Sequence, residues 1–312
     1  MKLSIVTTLY YSAPYLAEFY ERASRAAATI TDDYEVVLVN DGSPDNSLEL
    51  AIQLHERDPR VKVVDLSRNF GHHKALMTGL AYSQGELVFL VDCDLEEEPE
   101  LLRTFYDTLQ QNPDADVVYG VQKVRQRSWG YRVFADLYFT LFNLLSDYKI
   151  PPNLLTARLM TRRYVDSLLL HREQLPVIAG LWAITGYRQI AVPIEKHYKG
   201  HSSYNFRKRA AIFINSLVSF SSKPLYYIAY MGIFITLVSL VYVVYLVLMK
   251  LFGATPPTGW TSLVASVWFL GGLIIFSLGV IGIYLSVIFT ESKTRPYVIV
   301  RKVYGDHDPK RP

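Results

Sequence analysis

The sequence predicts an α/β protein built on a parallel sheet, followed by two helices long enough to cross a membrane. Three observations lead there. Short apolar runs alternate with amphipathic stretches over residues 1 to about 125. Polar residues, several of them acidic, stand where those apolar runs end. Residues 225–249 and 263–289, 25 and 27 residues long, contain no charged side chain.

Residues 3–8, Leu3-Ser4-Ile5-Val6-Thr7-Thr8, form the first strand, because they lack the long apolar core and small-residue cleavage site of a signal peptide. Further strands are expected at 34–40, 61–65, 86–92 and 116–119, with helices beginning near Pro14, Asn46, His72 and Pro99. In open sheets of this kind a ligand binds beyond the carboxyl ends of the strands. Thr7-Thr8, Asn40-Asp41, Asp65 and Asp92-Cys93-Asp94 all fall there, so one ligand could touch four strand ends. The acidic run from Glu96 to Glu100 suits the positive end of a following helix.

Asp92-Cys93-Asp94 is the most informative segment. Residues i and i+2 of a strand point to one side, roughly 6 to 7 Å apart. Two carboxylates so placed can hold a hard divalent cation, Mg2+ or Mn2+, and leave coordination sites for a substrate's phosphates. Cys93 then points to the opposite side as a small packing residue.

Farther along, residues 132–145 carry apolar side chains at helical spacing and are broken by Pro151-Pro152. Phe206, Ala210, Phe213, Leu217 and Phe220 recur at four-three-four-three spacing with Arg207 and Lys208 turned away, which suits a helix lying in a lipid interface. Five Lys or Arg fall between 199 and 223 and six between 293 and 311, against one in the loop 250–262. The positive-inside rule then puts both termini in the cytoplasm and the loop outside. The 23 tyrosines suit a wet-apolar boundary, the single cysteine excludes a disulfide framework, and a net charge of +3 argues against nucleic acid as the main partner. His72-His73 and the His197, His201 pair could be imagined as zinc ligands, but Gly200 and the polar surroundings disfavour a helix at the second pair. Trp129, Trp182 and Trp260 are expected to pack.

The segments Val39-Asn40-Asp41-Gly42-Ser43-Pro44-Asp45, Leu66-Ser67-Arg68-Asn69-Phe70-Gly71-His72 and Val91-Asp92-Cys93-Asp94-Leu95 resemble family 2 glycosyltransferases of the GT-A fold, a Rossmann-like nucleotide-sugar-binding domain. More narrowly the chain is similar to polyprenyl-phosphate hexose transferases, of the bactoprenol glucosyltransferase and dolichol-phosphate mannose synthase type. That likeness runs on through Pro151-Pro152-Asn153, Arg158-Leu159-Met160, Gly200-His201-Ser202-Ser203-Tyr204, Ser221-Ser222-Lys223-Pro224, the two apolar spans and Arg295-Pro296-Tyr297.

The resemblance implies that Thr7, Tyr10, Asp41 and Ser43 frame the nucleoside. Asp92 and Asp94 would be the catalytic and metal-holding pair. Arg158, Ser202, Tyr204, Arg207 and Lys208 would complete the substrate site on the phosphate side. It further implies an inverting, metal-dependent transfer of a hexose from a UDP- or GDP-sugar to polyprenyl phosphate at the cytoplasmic leaflet, with self-association left open. The domains would be 1–200 for the transferase, 201–224 for a juxtamembrane segment, spans at 225–249 and 263–289 about the external loop 250–262, and a tail at 290–312. The sequence departs from the family pattern at Thr156, where relatives commonly carry aspartate, at Ser203, where many have lysine, and at His73-Lys74. Those departures leave two other readings: a non-catalytic membrane protein that keeps the sugar-nucleotide fold, and a transferase acting on a different acceptor.

Overall fold

The computed structural model describes residues 2–123, 153–174, 178–195, 221–252, 259–293 and 295–305. The chain divides into two compact units, one of Met1–Asp136, Ile150–Tyr204 and Thr294–Pro312, the other of Leu137–Lys149 and Asn205–Lys293.

The first unit is an α/β sheet. Strands β1 (Leu3–Leu9), β2 (Tyr34–Asn40), β3 (Val61–Leu66) and β4 (Leu87–Leu90) are parallel, joined by helices α1 (Ala13–Ala28), α2 (Ser47–Arg57) and α3 (His72–Tyr82). Helix α4 (Leu101–Gln111) and strand β5 (Val117–Gln122) follow, then β6 (Leu154–Thr161), α5 (Arg162–Leu168), α6 (Ile178–Ile184) and β7 (Gln189–Ile194). With β8 (Val300–Tyr304), the order across the sheet is β7-β5-β6-β4-β1-β2-β3-β8.

The parallel expectation holds from β1 to β4 and needs correcting beyond them. Strand β6 enters between β4 and β5, antiparallel to both, and β8 closes the other edge antiparallel to β3. The strand expected at 86–92 is also shorter: β4 ends at Leu90, and Asp92 and Asp94 lie in the turn after it.

The buried strand residues divide by alternation. Ile5, Val36, Leu38, Val63 and Phe89 pack with Leu16 and Phe19 of α1 and with Leu102 and Phe105 of α4. On the other face α3 comes so close at Gly79 that a Cβ there would stand 2.5 Å from Val6 and 3.0 Å from Val39. Helix α1 starts with Pro14 in its first turn, where the missing N–H costs nothing.

A buried ion pair closes the amino end of the strands. Lys62 Nζ donates to Glu35 Oε2 at 3.0 Å and to the Tyr82 carbonyl, while Glu35 Oε1 accepts from Ser4 Oγ and from Gln84 N.

The segment beyond the second apolar helix belongs to the sheet. Ser67 N donates to the Ile299 carbonyl, Lys74 Nζ to that of Tyr297, and Arg301 to Asp65 Oδ2 and the Ser67 carbonyl. Ending the chain at residue 293 would strip β3 of its outer neighbour and leave an unpaired edge. The expected result is aggregation and a thermal midpoint lower by about 5 °C, read by unfolding of the detergent-solubilised protein.

In the second unit, α7 (Lys223–Leu251) and α8 (Trp260–Ser292) are both long and apolar enough to cross a membrane. Leu240, Phe269, Ile275 and Leu278 are exposed, as no core helix of a water-soluble domain would leave them. The Tyr284 hydroxyl donates to the Ser221 carbonyl at 2.7 Å. The interfacial helix expected at 206–220, the helix at 132–145, Trp129, His197 and His201 lie outside the described residues, as does the side chain of Trp260.

Candidate active site

Chain order reverses between β1 and β4: from β1 the sheet grows outward through β2 and β3, and β4 is then laid on β1's other side. A crevice opens beyond the carboxyl ends at such a switch point. The Val91 N to Val6 carbonyl bond, 3.1 Å, is the last between the two strands; β1 runs on beside β2 as far as Leu9 and Asn40, while the chain after Val91 turns away.

Asp92 and Asp94 stand at this fork, both partly exposed, with Cys93 buried between them. Burial, and then the Asp94 and Asp92 carboxylates, push the Cys93 thiol up to about 12, so it packs and does not attack. Asp94 Oδ1 accepts from Glu96 N at 2.9 Å. Asp92 Oδ1 is buried with no hydrogen-bond partner among the described residues, in a side chain that is otherwise 24% exposed. A buried carboxylate oxygen without a partner is costly. A hard cation is a suitable occupant for such an oxygen, so the pair fits Mg2+ or Mn2+ by charge and donor type. Among the described residues no three His, Cys, Asp or Glu converge.

His72, the first residue of α3, faces the same fork. Its Nε2 lies 3.5 Å from Asp92 Oδ1 and its Nδ1 3.2 Å from Thr8 Oγ1. Gly71 before it has φ +100, which lets α3 begin abruptly at the strand ends.

The loops after β1, β2 and β3 are sewn together by side chains. Asp41 is internal: Oδ1 accepts from Phe70 N at 2.7 Å and Oδ2 from Gly71 N at 3.1 Å. Burial raises its pKa, against the pull of those two amides. Gly42, at φ +61, lets the loops touch, since a Cβ there would sit 2.5 Å from the backbone of Arg68 and Asn69. Asn40 Nδ2 donates to Asp65 Oδ1 at 2.8 Å, and Asp65's other oxygen receives Arg301. Ser43 Oγ accepts from Tyr11 N and donates to Asp45, whose carboxylate also takes Ser47 and Ala13 N. Burial pushes Asp45 up, but these donors outweigh it and hold the group below its ordinary value. Tyr10 and Tyr11 stay exposed above this knot, edge to face, Tyr11 at φ +56.

The expected site residues therefore separate into three groups. Asp92, Asp94, Tyr10 and Ser43 sit on the rim. Thr7, Asp41 and Arg158 are interior; the Arg158 guanidinium has no exposed surface, donates to the Leu155 and Thr156 carbonyls and stacks on the Trp182 ring. Two of the three guanidinium nitrogens of Arg158 are thus engaged by the backbone of β6 itself. Ser202, Tyr204, Arg207 and Lys208 lie outside the described residues. Sequence reasoning passed over His72 as a neighbour of Asp92, and over Asp45 and Glu97. Only Asp45, inside the Asp-Gly-Ser-Pro-Asp run, carried a signal that could have found it.

Comparison with known proteins gives the family and the fold. The family model described as glycosyl transferase family 2 matches residues 4–169. A Mycobacterium tuberculosis (strain CDC 1551 / Oshkosh) protein described as putative glycosyltransferases is 47% identical over 305 residues, covering 98% of this chain and 89% of the relative. The bactoprenol glucosyl transferase of Shigella phage SfII is 29% identical, covering 97% of this chain and 98% of that one. Among solved structures, a mannosyltransferase from Pyrobaculum calidifontis in complex with GDP-Man and Mn2+ superposes with a TM-score of 0.50 at 17% identity, over 95% of this chain and 88% of the other.

Proposed function

The chain belongs to glycosyltransferase family 2, with a GT-A-like sheet and two apolar helices after it, and from that premise we propose that it moves a hexose from a nucleotide diphosphate to a polyprenyl phosphate at the membrane surface. The observation that carries this reading is the pair Asp92 and Asp94 at the fork of β1 and β4, with one buried carboxylate oxygen left unbonded among the described residues.

In the proposed reaction an oxygen of the lipid phosphate bonds to the anomeric carbon as the bond from that carbon to the nucleotide diphosphate breaks, and the configuration inverts. The acceptor is already an anion at neutral pH, so a strong general base is unnecessary. What the site must supply is stabilisation of the departing diphosphate. A divalent cation held by Asp92 and Asp94 would supply that charge. His72 stands on the α3 side of the pair, its Nε2 3.5 Å from Asp92 Oδ1 without a hydrogen bond. The loop knot of Asp41, Ser43 and Asp45 keeps the nucleoside end of the crevice in one shape, with Tyr10 available beside it. Arg207 and Lys208 are proposed to meet phosphates, the donor's or the lipid's.

The lipid acceptor rests on the full-length likeness to a bactoprenol glucosyl transferase and on the two apolar helices. Topology supports the same placement. Strand β8 shares a sheet with β3, so the chain leaves and re-enters the catalytic unit across both apolar helices. Two crossings return a chain to its starting side, which fits catalytic unit and tail together in the cytoplasm, the side that the basic residues flanking the spans favour.

The test is incubation of the purified full chain with polyprenyl phosphate and a panel of UDP- and GDP-hexoses, reading glycolipid by mass. Sugar transfer in the absence of lipid phosphate would overturn the acceptor, and no product from any donor would overturn the reaction. Thr156→Asp adds a carboxylate at the family's usual position. Turnover is expected to rise if threonine limits the chemistry, by about 10-fold for a contribution of 1.4 kcal/mol, and an unchanged kcat would show that this position does not limit the rate.

A further inference from the structure

We infer that Glu97 is a positioning residue that fixes the Asp92–Asp94 turn against strand β6, an assignment resting on the reading of those two aspartates given above. From Val91 to Pro99 burial alternates residue by residue: Val91, Cys93, Leu95, Glu97 and Pro99 are buried, and Asp92, Asp94, Glu96 and Glu98 are partly exposed. Glu97 thus occupies an apolar register, with 2% of its surface exposed. A carboxylate there is tolerable only if it is well bonded.

Its partners explain the placement. The β4–β6 ladder runs from Leu87 opposite Thr161 to Leu90 opposite Arg158, and stops because β4 stops. On β6 the next backbone amides along the chain are Ala157 N and Thr156 N, beyond the end of that ladder. Glu97 takes them instead, Oε2 accepting Ala157 N at 2.6 Å and Oε1 accepting Thr156 N at 3.3 Å. The carbonyls of Leu155 and Thr156 are held by the Arg158 guanidinium, which burial pulls down to about 9 and which therefore stays charged at neutral pH. The first residues of β6 are clamped by an anion from the turn on their N–H groups and by their own cation on their carbonyls.

The mechanical consequence falls on Asp94. Its Oδ1 accepts from Glu96 N, and the intervening Leu95 sits at φ +59, a conformation that a leucine keeps only where its surroundings enforce it. Glu97 is the next residue and the anchor of that enforced turn. With 2% exposure it is not itself a ligand; it acts through Asp94.

The test is Mn2+ binding to the detergent-solubilised full chain in the presence of UDP or of GDP, followed by loss of the free Mn2+ signal in electron paramagnetic resonance, with thermal unfolding in parallel. Glu97→Gln turns an NH2 group toward a backbone N–H and is expected to weaken Mn2+ binding by about 10-fold or more. Glu35→Gln removes a carboxylate equally buried at the opposite end of the sheet. It is expected to lower the thermal midpoint and leave the Mn2+ affinity at the wild-type value. Should Glu97→Gln not yield folded protein, Glu97→Asp carries the test under the same criterion. Wild-type affinity in the folded Glu97 variant overturns the role of Glu97 alone. Equal loss of Mn2+ affinity in Glu35→Gln also overturns it, by showing the effect to be general softening. No Mn2+ binding by the wild type with either nucleotide brings down the metal-site reading itself, and this assignment with it.

Discussion

Asp94→Asn is expected to reduce sugar transfer by about 10³-fold, the scale of removing one pre-organised group that meets charge developing in a transition state. The substitution keeps shape and keeps an oxygen for Glu96 N, so the turn after β4 should survive and the thermal midpoint should move by no more than a few degrees. What it removes is one negative charge from a site that, on the proposed mechanism, has to neutralise a departing diphosphate. Product formed by the purified variant, read by mass against wild type at matched protein concentration, decides the matter. Turnover within a factor of three of wild type would take Asp94 out of the site and leave the fork between β1 and β4 without its chemistry.

The largest loss of stability is expected from Lys62→Met. Lys62 and Glu35 are 7% and 4% exposed, and Glu35 also takes Ser4 Oγ and Gln84 N. Methionine fills the volume of the lysine stem but strands a carboxylate inside the protein, at a cost of about 3–5 kcal/mol. Buried pairs replaced as a unit are often near neutral. The double variant Lys62→Met with Glu35→Leu should therefore be more stable than Lys62→Met alone, by a coupling energy that a double-mutant cycle in urea measures. Additive effects would show that the two side chains do not depend on each other. Because this pair lies at the amino ends of the strands and the fork lies at the carboxyl ends, neither change should alter the Mn2+ affinity of folded protein.

Much of the catalytic half was legible in the sequence because its signals are local. Strands β1 to β3 begin and end within one or two residues of expectation, since each is a short apolar run closed by a polar residue. Asp92 and Asp94 were legible for the same reason, and Cys93 between them is buried as alternation required. The two apolar helices follow from the absence of charge over more than 20 residues each. Strand β6 was not legible. Leu154-Leu155-Thr156-Ala157-Arg158 lacks clean alternation, although Pro151-Pro152-Asn153 before it signals a turn, and it becomes a strand because β4 and β5 leave a slot for it. Nor could the roles of Glu97 and Arg301 be read. Glu97 looked like one acid in a run that opens a helix, and Arg301 like one cation in a tail; only the partners that the fold brings to them, 59 and 236 residues away, make them structural.

The amino-acid order by itself determined the α/β class of the first unit, the acid pair at a strand end and the membrane-length helices, because periodicity, charge and turn chemistry act between near neighbours. Tertiary structure alone decided that Asp41 and Arg158 turn inward, that His72 meets Asp92, and that a strand from beyond the second apolar helix caps the sheet. Each of those depends on which strand lies beside which, and that choice is made by burial and backbone pairing over long separations, to which no local pattern is tied.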